Sequence, residues 1–325
     1  MADCDEPAGA VDSPRTAAQP DDDPLLGASS EAHLAAVAGR ILRADSLDRL
    51  SSLERRLLSR APVDSVSCRV VANVRERIEA GTDPLGDAFL KLRSADVRRE
   101  SGAVYTPQVI VGSMVAWLSQ EPSVGRIVDP GAGSGRFALA AGRAFNEARL
   151  VAVESDPLAL LLLRANLTAA GLAERSEVVA GDYRLLRLGD AVEQRGPTAF
   201  IGNPPYVRHH LIERGWKEWL HAEANRLGVP ASGLAGLHVY FFLQTALPAA
   251  PGDIGTFVTS AEWLDVNYGK LVRALLVRHL GVESVHLIDP SELPFGDVAT
   301  TAAITCFRVG HTRAPRRLPE GRNNR

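Results

Sequence analysis

Val128-Asp-Pro-Gly-Ala-Gly-Ser-Gly-Arg-Phe137 decides the fold. A short apolar run, Arg126–Asp129, reads as a strand, and an apolar helix is predicted over Arg136–Phe145. Between them stand Gly131, Gly133 and Gly135. Glycines in that place allow a tight turn and close approach of the backbone to a ligand, with the next helix N-terminus aimed at it. The spacing is G-x-G-x-G followed by Arg136, which is not the G-x-G-x-x-G of a dinucleotide site.

Outward from that turn, strands and helices alternate. Helix Pro107–Leu118 precedes it. Strand Leu150–Glu154, helix Pro157–Ala170 and strands Glu177–Ala180 and Ala199–Gly202 follow. After a longer helical stretch come strand Gly255–Thr259, helix Leu264–Leu280 and strands Ser284–Ile288 and Ala302–Val309. Repeated βα units with short apolar strands predict an α/β fold with a mostly parallel, doubly wound sheet. Ligands of such sheets bind at the carboxyl ends of the strands.

Upstream, residues 31–97 have helical spacing and read as a small helical domain. Leu34, Val37, Ile41 and Leu42 form one apolar face, Val66, Val70, Val71, Val74 and Ile78 another. Residues 1–30 read as a disordered acidic leader, 98–310 as the catalytic domain and 311–325 as a basic tail.

With 325 residues, 46% hydrophobic and 23% charged, the chain is ordinary for a globular protein large enough to bury a core. Its net charge of −3 gives no global argument for a nucleic-acid partner. The charge is uneven: residues 1–31 hold eight carboxylates against Arg15, a net of −7, which leaves +4 on the rest. That permits a phosphate-backbone partner without demanding one. The longest apolar run, Leu158–Leu163, is far short of a membrane span. The N-terminus has neither a basic n-region nor an apolar h-region, so no secretory signal is expected. Cys4, Cys68 and Cys306 suggest neither a disulfide framework nor a zinc site, and no metal is expected. The expected compartment is the cytoplasm.

Two acidic residues stand in register with the glycine turn. Glu154 ends the next strand, where a carboxylate can hydrogen-bond two ribose hydroxyls. Asp182, in Gly181-Asp-Tyr183, follows the third strand, placed to accept from an adenine amino group with Tyr183 available to cover the ring. Together they suit an adenosyl group with no phosphate.

Ile201-Gly-Asn-Pro-Pro-Tyr206 lies at the end of the fourth strand. Its two prolines fix φ and remove two backbone donors. Such a turn can present the Asn203 amide oxygen and the Pro204 carbonyl as two acceptors facing one point, which an exocyclic NH₂ matches. Pro205 keeps the turn rigid, and Tyr206 offers a flat face for stacking a base or amide.

Gly102-Ala-Val-Tyr-Thr-Pro107, Asp129-Pro-Gly-Ala-Gly-Ser-Gly-Arg-Phe137, Glu154, Asp182 and Asn203-Pro-Pro-Tyr206 resemble the gamma-class DNA adenine-N6 methyltransferases, a group that includes type I modification subunits and related type II enzymes. The similarity runs from about Ser101 to Val309. It implies a Rossmann-like class I methyltransferase fold with a seven-stranded sheet, preceded here by the helical domain. It implies S-adenosyl-L-methionine as cofactor. Tyr105, Thr106 and Pro107 would then lie beside its methionine end, with Asp129, Gly131, Gly133, Gly135 and Phe137 around the turn. Glu154 would take the ribose, and Asp182 with Tyr183 the adenine. Tyr268 would pack, with Tyr206, against the target base.

The function implied is methyl transfer to N6 of adenine in DNA. A base inside a duplex cannot reach such a pocket, so it would be flipped out. Relatives usually continue into a large target-recognition domain or pair with a specificity subunit. About fifteen residues follow the last predicted strand here, so a separate specificity or restriction subunit is an expected partner. The NPPY turn also serves methylation of release-factor glutamine and of adenine in structured RNA. A non-catalytic subunit on the same fold is the third alternative.

Overall fold

The computed structural model describes residues 30–42, 47–94, 97, 102, 106–121, 123–188, 196–288 and 301–311. Among the described residues four helices come first: α1 (Glu31–Ile41), α2 (Ser52–Arg60), α3 (Cys68–Glu79) and α4 (Pro84–Leu92). Each begins where a side chain can take an orphan amide of the first turn. Ser30 accepts from His33, Ser51 and Glu54 form a reciprocal capping box, Ser67 accepts from Val70, and Asp83 accepts from Gly86 ahead of Pro84.

The alternating part follows: α5 (Gln108–Leu118), β1 (Arg126–Pro130), α6 (Arg136–Ala144), β2 (Arg149–Glu154), α7 (Pro157–Ala169), β3 (Ser176–Ala180), β4 (Thr198–Gly202), α8 (Arg214–Arg226), α9 (Leu237–Ala246), β5 (Ile254–Ser260), α10 (Lys270–Leu275), β6 (Val282–Ile288) and β7 (Ala302–Arg308). The sheet has seven strands in the order β3-β2-β1-β4-β5-β7-β6. All neighbours are parallel except β7, which runs antiparallel to both β5 and β6. The expected doubly wound sheet is therefore present, with its switch point between β1 and β4.

One face of the sheet is covered by α5, α6 and the inner side of α7, the other by α8, α9 and α10. A third apolar cluster joins α1, α3 and α4 to Leu158, Leu161, Leu162 and Ala165 of α7. Among the described residues these N-terminal helices, a collar on the sheet domain, have no apolar cluster apart from the one shared with α7. α7 is accordingly apolar nearly all round, as a helix buried on two sides must be.

One expected element differs. Helix Leu264–Leu280 is broken into a 3₁₀ turn at Ala261–Leu264, another at Asn267–Gly269, α10, and a π turn at Leu276–Leu280. The carbonyls of Trp263 and Leu264 (2.9 Å) accept from the Arg273 guanidinium, and the Val266 carbonyl accepts from it as well as from the Gly269 amide. Gly269 packs directly on the Trp263 backbone, where a Cβ would collide. Among the described residues no helix is long and apolar enough to cross a membrane, and no group of three or more His, Cys, Asp or Glu could hold a metal ion.

Candidate active site

The carboxyl ends of β1, β2 and β4 meet at the switch point. Gly131, Gly133 and Gly135 have φ of +69°, +58° and +97°, a left-handed series that L side chains rarely adopt. A Cβ on Gly135 would strike Leu163 of α7, so this glycine lets α6 start close against α7. A Cβ on Gly133 would meet nothing within 4 Å among the described residues. Gly131 faces β4: its Cβ would lie 3.6 Å from Pro205 and 3.5 Å from Phe241 of α9.

Two carboxylates set this turn. Asp129, 1% exposed, accepts from the Ala138 amide at 2.9 Å through Oδ2, while its Oδ1 has no partner among the described residues. Burial, with the Glu154 charge adding to it against the Ala138 donor, pushes its pKa up to about 8. Glu154 takes the Gly133 amide at 2.7 Å through Oε2 and the Ser155 and Asp156 amides at 2.7 and 2.8 Å through Oε1. Burial raises its pKa and those three donors oppose the rise. Phe137 lies in the apolar cluster under the turn with Ile110 and Met114.

The β4 turn is held from outside its own strand. Asn203 Nδ2 donates to Thr106 Oγ1 at 2.9 Å, and Thr106 is buried just ahead of Pro107, the N-cap of α5. Asn203 Oδ1 is buried with no partner among the described residues. The Tyr206 amide donates to the Gly102 carbonyl at 3.0 Å. Gly102 has φ +68°, and a Cβ there would lie 2.6 Å from the Tyr206 nitrogen. Thus the G-x-x-Y-T-P segment touches the NPPY turn at Gly102 and at Thr106. Tyr105 lies outside the described residues. Pro204 is buried, and the Tyr206 hydroxyl is buried and unpartnered among the described residues, its pKa raised by burial.

α9 closes the far side. Its Leu237 amide donates to the Val207 carbonyl at 2.9 Å. The next residue, His238, is buried with Nε2 unpartnered among the described residues, and burial lowers its pKa to about 4. Its ring meets that of Tyr268 edge-on at 6.4 Å, and the Tyr268 hydroxyl donates to Glu262 at 3.0 Å. The Asp182 carboxylate caps the turn after β3 through the Arg184 amide and accepts from Arg184 Nε at 2.9 and 3.0 Å. Tyr183 is buried, its hydroxyl paired with Thr245 at 2.9 Å and its ring 5.1 Å from Phe241.

The sequence and the fold have counterparts among known proteins. Type II methyltransferase M.XamI of Xanthomonas campestris pv. amaranthicola is 50% identical over 279 residues, 83% of this chain and 51% of its own length. Residues 181–292 match the Eco57I restriction-modification methylase family and residues 111–228 the methyltransferase small domain. The chain is thus similar to restriction-modification methyltransferases over most of its length. The chain spans about half the length of M.XamI. A Listeria monocytogenes protein described as a class I S-adenosylmethionine-dependent methyltransferase shares the fold, with TM-score 0.57 at 14% identity over 90% of this chain and 91% of the other. The type I restriction-modification methyltransferase subunit of Streptococcus thermophilus does so with TM-score 0.55 at 16% identity, over 79% and 53%.

Three residues of the candidate site escape sequence reasoning. Arg184, which occupies Asp182 and stacks its guanidinium 3.6 Å over Trp216, carries only an i+2 signal. His238 sits inside the Gly236–Phe242 segment with nothing to mark its burial. Asp83 shows its Asp-Pro helix start but not its second role: its Oδ2 accepts from Ser134 in the glycine turn at 2.6 Å.

Proposed function

We propose that the chain transfers a methyl group from S-adenosyl-L-methionine to N6 of adenine in DNA, acting in the cytoplasm. The observation that carries this reading is the Asn203 amide. Its nitrogen is committed to Thr106, so its oxygen is left buried without a donor at the end of β4. A buried acceptor without a donor is costly unless a ligand supplies one, and an exocyclic amino group does.

The residues fit the cofactor. Among the described residues a Cβ on Gly133 would meet nothing within 4 Å, Asp129 keeps an unpartnered oxygen, and Glu154 lines the same turn. When bound, the cofactor supplies an electrophilic sulfonium methyl. On this reading Asp129 holds its methionine end, where Gly131 and Gly133 allow close backbone approach, with Tyr105, Thr106 and Pro107. Glu154 holds the ribose, and Asp182 and Tyr183 border the adenine. Asn203 and the Pro204 carbonyl hold the target amino group by both hydrogens and stabilise positive charge as it develops on nitrogen. No general base is required, because a nitrogen so charged loses its proton readily. Tyr206 and Tyr268 offer ring faces to a base flipped from the duplex. A specificity or restriction subunit is the proposed partner for target choice.

Tritiated cofactor incubated separately with DNA, bulk tRNA and rRNA, and release factor should label DNA alone. Label in release factor alone overturns the substrate assignment. Asn203→Ala should abolish transfer while leaving cofactor affinity within about threefold, since the contact it loses is to the acceptor.

A further inference from the structure

Two carboxylates of the helical collar are buried, and they differ in what they touch. Glu54, at 0% exposure, pairs with Arg164 on the outer side of α7 at 2.8 Å. Asp83 reaches past α7 into the glycine turn. Its Oδ2 accepts from Ser134 Oγ at 2.6 Å, and its Oδ1 from Asn166 Nδ2 at 2.8 Å and from the Gly86 amide at 2.9 Å. Asn166 also donates to the Ser134 carbonyl at 2.9 Å, so Ser134 is held by side chain and main chain at once.

Arg136, the first residue of α6, extends the path. Its Nη2 lies 3.4 Å from Asp83 Oδ2 and 2.7 Å from Asp87 Oδ1, and its Nη1 lies 3.5 Å from the Thr106 carbonyl. The Thr106 hydroxyl in turn receives Asn203. A continuous polar path thus runs from the collar through the glycine turn to the amide at the end of β4. Attachment of the collar does not require it, because the apolar cluster along α7 and the Glu54–Arg164 pair already join the two parts.

We propose that Asp83 is a positioning residue for methyl transfer: through Ser134 and Arg136 it fixes the glycine turn for the cofactor and Thr106 for Asn203. This rests on the reading of the site as an S-adenosylmethionine pocket. Its physical basis is preorganisation. Three glycines in five residues leave a turn with unusual freedom, and ordering it before the ligand arrives removes that entropic cost from binding.

The test is calorimetric titration of the full chain with S-adenosylmethionine, with a thermal melt of each variant alongside. Asp83→Asn keeps shape and removes charge; its affinity should fall about tenfold, as expected when a charged acceptor is lost. Ser134→Ala removes a single bond of the path and should weaken binding about threefold to tenfold. Glu54→Gln should lower the melting temperature yet leave the dissociation constant within about twofold, since its pair lies off the path. Wild-type affinity in both Asp83→Asn and Ser134→Ala overturns the proposal, as does an equal loss in Glu54→Gln. Should Asp83→Asn fail to fold, Ser134→Ala against Glu54→Gln decides the matter. If the wild type itself does not bind S-adenosylmethionine, the functional reading fails and this inference with it.

Discussion

A carboxylate that cannot reach water needs donors, and Asp129 has one for its two oxygens among the described residues. Burial therefore moves its proton affinity up to about 8, so that at neutral pH the folded chain keeps a proton that the unfolded chain has released. Between the ordinary carboxylate pKa of about 4 and this raised value the folded state binds more protons, and stability falls as pH rises. The contribution is complete below the unfolded pKa and is lost as pH climbs through about 8. Asp129→Asn retains an acceptor for Ala138 but cannot ionise. Melts of the ligand-free protein should show the variant gaining on the wild type steadily from about pH 5 to about pH 8. Parallel stability curves would show that Asp129 is not held protonated. The residue thus ties the fold to the site, because the oxygen that makes it unstable is also the one left for a ligand.

Among the elements, the turns after β1 and β4 were legible in the sequence because their signals are local. Three glycines mark a left-handed turn and paired prolines mark a rigid one, and neither needs a distant partner to be read. The strands were legible for a similar reason, as short apolar runs. What fixes the turns was not legible. Gly102 lies about a hundred residues from the Tyr206 amide it accepts, and Asp83 about fifty from Ser134; nothing in either neighbourhood announces those contacts. The break in the helix ahead of α10 was hidden for the same cause, since it is Arg273 that takes the Trp263 and Leu264 carbonyls. Gly102 tests the point directly. Its φ of +68° and the 2.6 Å approach of a Cβ to the Tyr206 nitrogen leave no room for alanine. Gly102→Ala should cost about 1–3 kcal/mol in stability through strain and displacement of the turn. Transfer rate should fall by more than cofactor affinity does, as the turn it displaces carries Asn203. An alanine variant with normal turnover would separate the two motifs.

At the scale of the whole molecule, the question is whether collar and sheet are one cooperative unit or two. Segments of 31–97 read on their own look like a separate helical domain, but their apolar faces close on Leu158, Leu161 and Leu162 of α7. The opposite side of that helix contributes Leu163 and Leu167 to the cluster under the sheet. α7 is therefore core to both parts, and neither can melt without exposing a face of it. Two ion pairs with buried carboxylates cross the same boundary, Glu54 to Arg164 and Asp83 to Arg136, so separation of the parts would also give up both. Calorimetry should accordingly record a single unfolding transition whose calorimetric and van't Hoff enthalpies agree. Leu162→Ala, at a fully buried position on the collar side, should lower stability by about 2–5 kcal/mol. It should shift that one transition as a whole, with hydrogen exchange rising together in α1 and in β2. A variant that releases α1 while β2 stays protected would mean that the collar is a detachable module. The route from Asp83 to Asn203 would then be broken by local opening alone, with the sheet still folded.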